Sequence, residues 1–139
     1  MPVRSSGIAC NFALPLALGG CTAMRTQACQ PGEEIAIADT LCFGTNRPGG
    51  VVSVAEWESS LATDVTPRVP QGISSWRASD QWRSASGALE HEASFVLLLV
   101  HPERAETDRA VREVMDLYRR RFGQEAVLRV RLPACTSFP

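Results

Sequence analysis

The chain contains no lysine, and all 14 of its basic residues are arginine. Its formal net charge is −1, so it lacks the positive excess that attracts nucleic acids or anionic membrane surfaces. It also lacks a CxxC pair, a Cys/His zinc spacing, a glycine-rich phosphate-binding motif and a nucleophile elbow. The sequence therefore predicts no nucleic-acid partner, no metal site, no cofactor and no catalytic residue.

A membrane-spanning apolar run is missing as well, since the apolar stretch Ile8–Leu18 is too short to cross a bilayer as a helix. It follows Arg4 and leads into Leu18-Gly19-Gly20-Cys21, which resembles the lipobox of bacterial lipoproteins. We expect residues 1–20 to be a lipoprotein signal peptide and residues 21–34 a tether, with Cys21 carrying the lipid. The alternatives are an ordinary secretory signal, or a start codon assigned upstream of a soluble protein.

Residues 35–139 are expected to form one domain, because apolar periodicity, turn residues and capping signals give six elements in the order β-α-β-β-α-β. Ser53 and Glu56 fit a capping box at the start of the first helix, and Gly123 is the expected stop of the second. This order predicts an α+β fold of the ferredoxin-like type, a four-stranded antiparallel sheet with two helices on one face. The predicted strands are 35–44, 73–82, 88–100 and 127–132, and the helices are 53–66 and 101–122.

The hairpin between the second and third strands determines which side chains share a face. A four-residue loop, Ser84–Gly87, would pair Trp82 with Leu89 and Arg77 with Ser94. That register, with simple alternation along the last strand, places several polar side chains on the face without helices. The predicted ligand or interface residues on that face are Arg77, Gln81, Glu92, Arg129 and Arg131, and Arg47 in the Pro-Gly-Gly loop is a further candidate for holding an anion.

The third strand contains Phe95–Val100, a run without polar alternation that predicts cover on both faces of the sheet. Face-to-face homodimerisation is the leading explanation, followed by a ligand bound over the sheet and by cover from the tether or the C-terminal tail. Asp39 lies on the apolar parity of the first strand, and no local pattern explains it.

Two cysteines flank the predicted domain, Cys29 before it and Cys135 near its end. In an oxidising compartment they can form a disulfide that joins the tether to the C-terminal end of the domain. Sequence alone does not place their Cα atoms within bonding distance.

The chain resembles a family of small bacterial lipoproteins with a domain of unknown function, number 3574. The resemblance covers nearly all of the mature domain and implies no activity, because the family has none assigned. Asp80 stands where glycine usually precedes Gln-Trp, and Val69 where phenylalanine often precedes proline. The matching stretches, in chain order, are Asp39-Thr40-Leu41, Phe43-Gly44, Pro48-Gly49-Gly50, Ala55-Glu56-Trp57, Val65-Thr66-Pro67-Arg68, Gln81-Trp82-Arg83, Glu92-Ala93-Ser94, the segment 118–124 and Val127-Leu128-Arg129-Val130.

We therefore expect a lipid-anchored protein of the bacterial cell envelope, facing the periplasm or the exterior, that acts by binding or association rather than by catalysis. The alternative is a small-molecule binder or enzyme of the dimeric α+β barrel type. It would use the helix-free sheet face with Gln81, Glu92 and Arg129.

Overall fold

The structure, a computed structural model, describes residues 28–138. The predicted signal peptide, Cys21 and the first half of the tether lie outside this range. Within it no helix is long and apolar enough to cross a membrane. The elements are β1 (Glu34–Gly44), β2 (Asn46–Arg47), β3 (Gly50–Val51), α1 (Val54–Ser60), a π-helical segment (Leu61–Val65), β4 (Ile73–Arg83), β5 (Leu89–His101), α2 (Ala105–Phe122) and β6 (Leu128–Thr136).

The main sheet has four strands in the order β4-β5-β1-β6, and every neighbouring pair is antiparallel. Strands β2 and β3 form a separate small hairpin. The predicted mixed fold, with a four-stranded antiparallel sheet and two helices, is confirmed.

The core lies between the helices and one face of the sheet. The odd-numbered side chains from Ile37 to Phe43 of β1 and from Phe95 to His101 of β5 are buried there. The ring of Trp57 from α1 stacks on Phe95 at 4.8 Å with an interplanar angle of 4°. Because side chains alternate along a strand, the even-numbered residues of the four strands form the opposite face, which we call the helix-free face. The core side chains include Leu41, Phe43, Trp57, Val65, Phe95, Leu97, Leu99, Val111, Val114, Tyr118 and Phe122.

Helix α1 begins with the predicted capping box. The Ser53 hydroxyl accepts a hydrogen bond from the Glu56 amide, and the Glu56 carboxylate accepts one from the Ser53 amide. The α-helix ends at Ser60, earlier than predicted, and the chain widens into the π-helical segment. The Thr66 amide donates to the carbonyl of Leu61, five residues back, at 2.9 Å. This wider turn places the side chain of Val65 in the core.

The predicted register of the β4–β5 hairpin is wrong by one residue. The structure pairs Arg83 with Leu89 and Arg77 with Phe95, leaving five residues in the loop. Gly87 adopts φ +86°, a left-handed conformation that suits glycine, and its amide donates to the Ser84 carbonyl. A shift of one residue turns every side chain of a strand to the other face. Trp76 and Trp82 therefore lie on the helix-free face. Arg77 and Gln81, which were predicted to lie on that face, have the parity of the helix side instead.

The other boundaries differ from prediction at the end of the sheet where β5 leads into α2. Strand β5 continues to His101, which pairs with Ile37 of β1, so α2 starts at Ala105 instead of near His101. Helix α2 stops at Gly123, in the left-handed conformation, as predicted. Strand β6 runs to Thr136 because it stays paired with β1 through Glu34.

The structure joins Cys29 and Cys135 in a disulfide, with their Cα atoms 5.5 Å apart. The bond connects the segment before β1 to the end of β6. It closes a loop over a sequence separation of 106 residues and so restricts the unfolded chain.

Candidate functional site

The two arginines of β6 face the helices, which corrects the predicted placement of Arg129 and Arg131 on the helix-free face. Arg129 lies opposite Leu41 of β1, and Arg131 lies opposite Asp39. The guanidinium of Arg129 binds both carboxylate oxygens of Asp39, at 2.8 and 2.7 Å, and its third nitrogen reaches Asp108 of α2 at 2.8 Å. The side chains of β6 alternate in the opposite sense to the prediction, with the arginines facing inward. This arrangement gives the buried carboxylate of Asp39 the cation that it needs.

Asp39 is fully buried and also binds His101, whose Nε2 lies 2.9 Å from its Oδ2. Burial by itself raises the pKa of Asp39, but the hydrogen bonds from Arg129 and His101 outweigh it and hold the pKa below its ordinary value. We call Asp39, His101, Arg129 and Asp108 the Asp39 cluster. The cluster explains why Asp39 lies among the inward-facing apolar residues of β1. The other members of the cluster come from β5, β6 and α2.

Arg47 and Arg77 also differ from the roles predicted for them. Arg47 is committed to Glu56 of α1, at 2.9 and 3.1 Å, and lies over the ring of Phe122. The Ser53 amide and then Arg47 lower the pKa of Glu56 to about 2. Arg77 lies on the helix side opposite Phe95, is exposed, and has no hydrogen bond or ion pair within residues 28–138.

The helix-free face is strongly apolar, and none of its even-numbered strand positions carries a basic residue. Val96, in the run for which cover on both faces was predicted, is buried beside Trp76, its partner in β4. Six other large apolar side chains of this face are more than a third exposed: Trp76, Trp82, Val100, Leu128, Val130 and Leu132.

A groove of about 950 Å³ lies at one end of the helix-free face. Glu92 forms part of it: its carboxylate accepts from the Asn46 amide at 2.5 Å and lies over Gly44, where a Cβ atom would come within 2.7 Å of it. Three of the six predicted site residues, Arg47, Gln81 and Glu92, line this groove. Other lining residues include Cys42, Asp80, Trp82, Gln124, Glu125 and Leu128.

The groove offers an aromatic surface and carboxylate acceptors. The carboxylate of Asp80 has no partner within the described residues, and the indole of Trp82 is 44% exposed. Burial, and then Asp80, raise the pKa of the Cys42 thiol, which disfavours the thiolate form of this free cysteine. Asp80 and Trp82 were not among the predicted site residues, because the predicted hairpin register turns their side chains to the other face.

A metal site has little support in the described part of the chain. Cys29, Glu33 and Cys135 have potential ligand atoms within 4.8 Å of one another. Both cysteines are joined in the disulfide, so neither supplies the thiolate that a metal requires.

Comparisons with known proteins add a family and a fold. The model of a family described as "Protein of unknown function (DUF3574)" matches residues 38–138. No curated protein matches the sequence. A phage SAM lyase in complex with S-methyl-5′-thioadenosine has a similar structure, with a TM-score of 0.57 at 13% identity over 81% of this chain and 95% of that one. Its apo form gives a TM-score of 0.55 at the same identity and coverage. A likeness at this identity shows the fold alone.

The Asp39→Asn variant should lower the free energy of unfolding at pH 7 by about 3–5 kcal/mol, because Arg129 and His101 lose their buried anion. Asp108→Asn is the matched control and should cost less, since Asp108 keeps 23% of its side-chain surface exposed. Urea denaturation of the two variants and the wild type measures both effects.

The same variant should change the response to acid. The pKa of Asp39 is lowered in the folded protein, so its stabilisation is present above the unfolded pKa of about 4 and is lost as the pH falls through the lower folded value. The stability difference between the wild type and Asp39→Asn should therefore shrink below about pH 4. A difference that stays constant from neutral pH into acid would contradict this assignment.

Proposed function

Because the chain belongs to the family of proteins of unknown function DUF3574, we propose its role from its own surface: a lipid-anchored envelope protein whose domain associates with a second copy of itself. The observation that carries this proposal is the exposed apolar surface of the helix-free face. Monomeric proteins rarely leave a contiguous apolar surface of this kind in water. The strand order and the helices on one side support the ferredoxin-like arrangement, which leaves this face open.

The size of the helix-free face suits a second copy. Four strands spaced about 4.8 Å apart, with apolar side chains over about 30 Å of their length, give roughly 600 Å² per copy. Two such faces would bury roughly 1,200 Å² in total, at the lower end of specific protein–protein interfaces. A second copy also offers the same apolar chemistry, as a self-complementary two-fold interface requires.

The acidic side chains of the helix-free face lie at its two ends, Asp80, Glu90 and Glu92 at one end and Glu34 at the other. A two-fold axis in the plane between the sheets and perpendicular to the strands would keep the ends with three carboxylates apart in the two copies. The apolar centre would then be buried on both sides, with the acidic side chains at its solvent-exposed margins.

The anchor is proposed from the lipobox-like sequence that ends at Cys21. Residues 22–28 separate Cys21 from Cys29, and seven residues span at most about 25 Å. The disulfide of Cys29 with Cys135 would therefore hold this end of the sheet near the lipid. Attachment to one membrane would also raise the effective concentration of neighbouring copies.

Mass spectrometry of the mature protein tests the anchor. We expect residues 1–20 to be absent and Cys21 to carry a diacylglycerol on its sulfur and an acyl chain on its amine. A Cys21→Ser variant should remain uncut and without lipid. An unmodified Cys21 in protein purified from a bacterial envelope would end the lipoprotein proposal.

The Val130→Glu variant tests the association. Val130 is 42% exposed on the helix-free face, and Val54 is 41% exposed at the start of α1, so Val54→Glu is a control of equal exposure. Light scattering after size exclusion of residues 28–139 should give a dimer for the wild type and Val54→Glu and a monomer for Val130→Glu, because a buried unpaired charge opposes pairing. A wild-type domain that stays monomeric at high concentration would refute the interface.

A second candidate function is small-molecule binding in the groove. It is favoured by the exposed indole of Trp82 beside the unpartnered carboxylate of Asp80. A planar apolar ligand with hydrogen-bond donors would suit this pair, as aromatic surfaces and a few polar groups mark many ligand sites. The phage lyase of similar fold was solved with S-methyl-5′-thioadenosine, which makes that compound a reasonable probe.

Calorimetric titration with S-methyl-5′-thioadenosine tests the groove. We expect binding to the wild type and to Trp76→Ala. The affinity of Trp82→Ala should be lower by about tenfold, because that variant loses the aromatic contact with the ligand. Trp76 lies on the same face with similar exposure, 47%, but does not line the groove. Equal losses in the two variants, or no binding to any of them, would count against this ligand class.

A further inference from the structure

We propose that one end of the sheet rests directly on the membrane, with the side chains of Ile35 and Phe138 in the interface between lipid headgroups and hydrocarbon. These two residues and the Cys29–Cys135 disulfide beside them form what we call the disulfide corner. The inference rests on the lipid anchor proposed above and adds to it a contact between the folded domain and the bilayer.

The disulfide corner carries two large apolar side chains that the rest of the domain leaves uncovered. Ile35 is 61% exposed and Phe138 is 97% exposed. Ile35 pairs with Cys135 across the sheet, and Phe138 follows three residues after that cysteine, so both lie close to the disulfide. Ile35 has the inward parity of β1, and its exposure shows that the helices do not extend over this corner.

The apolar surface continues from the disulfide corner into a groove of about 480 Å³. Among the residues that line this groove there is no arginine, and Glu34 supplies the one carboxylate. Glu33 adds a carboxylate within 4.8 Å of the disulfide sulfurs. An apolar, slightly acidic surface suits hydrocarbon and zwitterionic headgroups, because anionic headgroups require basic side chains. Apolar residues that line the groove include Ile35, Ala36, Ile73, Leu98, Val100 and Phe138.

The length of chain before the disulfide brings this corner to the bilayer. Only residues 22–28 separate Cys21 from Cys29, and seven residues span at most about 25 Å. With Cys21 anchored, the disulfide corner is the part of the described domain tied most closely to the lipid. The contact is then intramolecular, so an apolar surface too small to hold a free domain on a membrane can still bind.

The same contact agrees with the proposed pairing of two copies. The two-fold axis perpendicular to the strands runs across the sheet from β4 to β6, and β6 forms one edge of the sheet. Rotation about this axis leaves the β6 edges of both copies on the same side of the pair. Both disulfide corners would therefore face one membrane.

A lipid chain of Cys21 folded back into the groove is the competing occupant. Lipid hydrocarbon is as apolar as the side chains of the groove, so an acyl chain gains nothing by leaving the bilayer for the protein surface. The disulfide corner, in contrast, exchanges water for lipid when it meets the membrane. Burying an exposed phenylalanine favours the contact by about tenfold or more.

Fluorescence quenching by brominated phosphatidylcholine in vesicles tests the contact. The chain from residue 21, which contains every described element, is coupled through its Cys21 thiol to a maleimide-bearing lipid. Cys42→Ser removes the free cysteine of the folded domain. Because this coupling replaces the natural lipid, the result does not depend on whether mass spectrometry finds Cys21 modified in the cell.

Two reporters and a matched control show which surface meets the lipid. Ile35→Trp and Phe138→Trp should each add emission that brominated lipid quenches, beyond any quenching of the three native tryptophans. Val51→Trp is the control, since Val51 is 58% exposed and lies in the small hairpin beyond the other end of β1. Equal quenching in all three variants, or none in any, would overturn the proposal. Reporter emission that is already blue-shifted without vesicles would do the same, because a second copy would then cover the corner.

A second substitution measures the contribution of Phe138. In the Ile35→Trp background, Phe138→Ser should lower the ratio of membrane-contacting to free domain by about tenfold, whereas Val51→Ser should leave it unchanged. High salt should have little effect, and phosphatidylglycerol should weaken the contact, because Glu33 and Glu34 repel anionic headgroups. Quenching that requires phosphatidylglycerol, or that survives Phe138→Ser undiminished, would refute an apolar contact at this corner.

Discussion

The carboxylate of Asp39 lies in the sheet face that the helices cover, and the arrangement of β6 depends on it. A buried anion is tolerated only beside a cation and enough hydrogen-bond donors. Arg129 meets that requirement with a two-pronged contact. Because strand side chains alternate, turning the arginines of β6 inward sends Leu128, Val130 and Leu132 outward. The buried ion pair on one face of the sheet therefore produces an exposed apolar surface on the other.

The β4–β5 hairpin completes that surface from the opposite edge. Its loop of five residues places Trp76 and Trp82 on the helix-free face. A loop one residue shorter would have directed both indoles toward the helix side and Arg77 away from it. The apolar character of the face thus arises from two separate features, the ion pair at β6 and the five-residue loop of the hairpin.

These two constraints also mark what the sequence could predict. Local signals identified the order of the elements, since the capping box at Ser53 and the stop at Gly123 each depend on residues within one turn. The parity of β6 was predicted wrongly because it depends on Asp39, about ninety residues earlier in the chain. The hairpin register was predicted wrongly because the sequence suits a four-residue loop, Ser84–Gly87, as well as the five-residue loop, Ser84–Ala88, that the structure shows. The candidate site was accordingly only half predicted, with Gln81 and Glu92 at the groove and Asp80 and Trp82 missed.

The two candidate functions share one surface. Leu128 and Trp82 are exposed on the helix-free face and also line the groove. A second copy seated on that face would therefore border the groove and narrow its open side, so association and ligand binding would be coupled. Because binding at one site and pairing at the other must influence each other equally, a ligand that needs the narrowed groove would strengthen the pair. One that needs the open groove would weaken it.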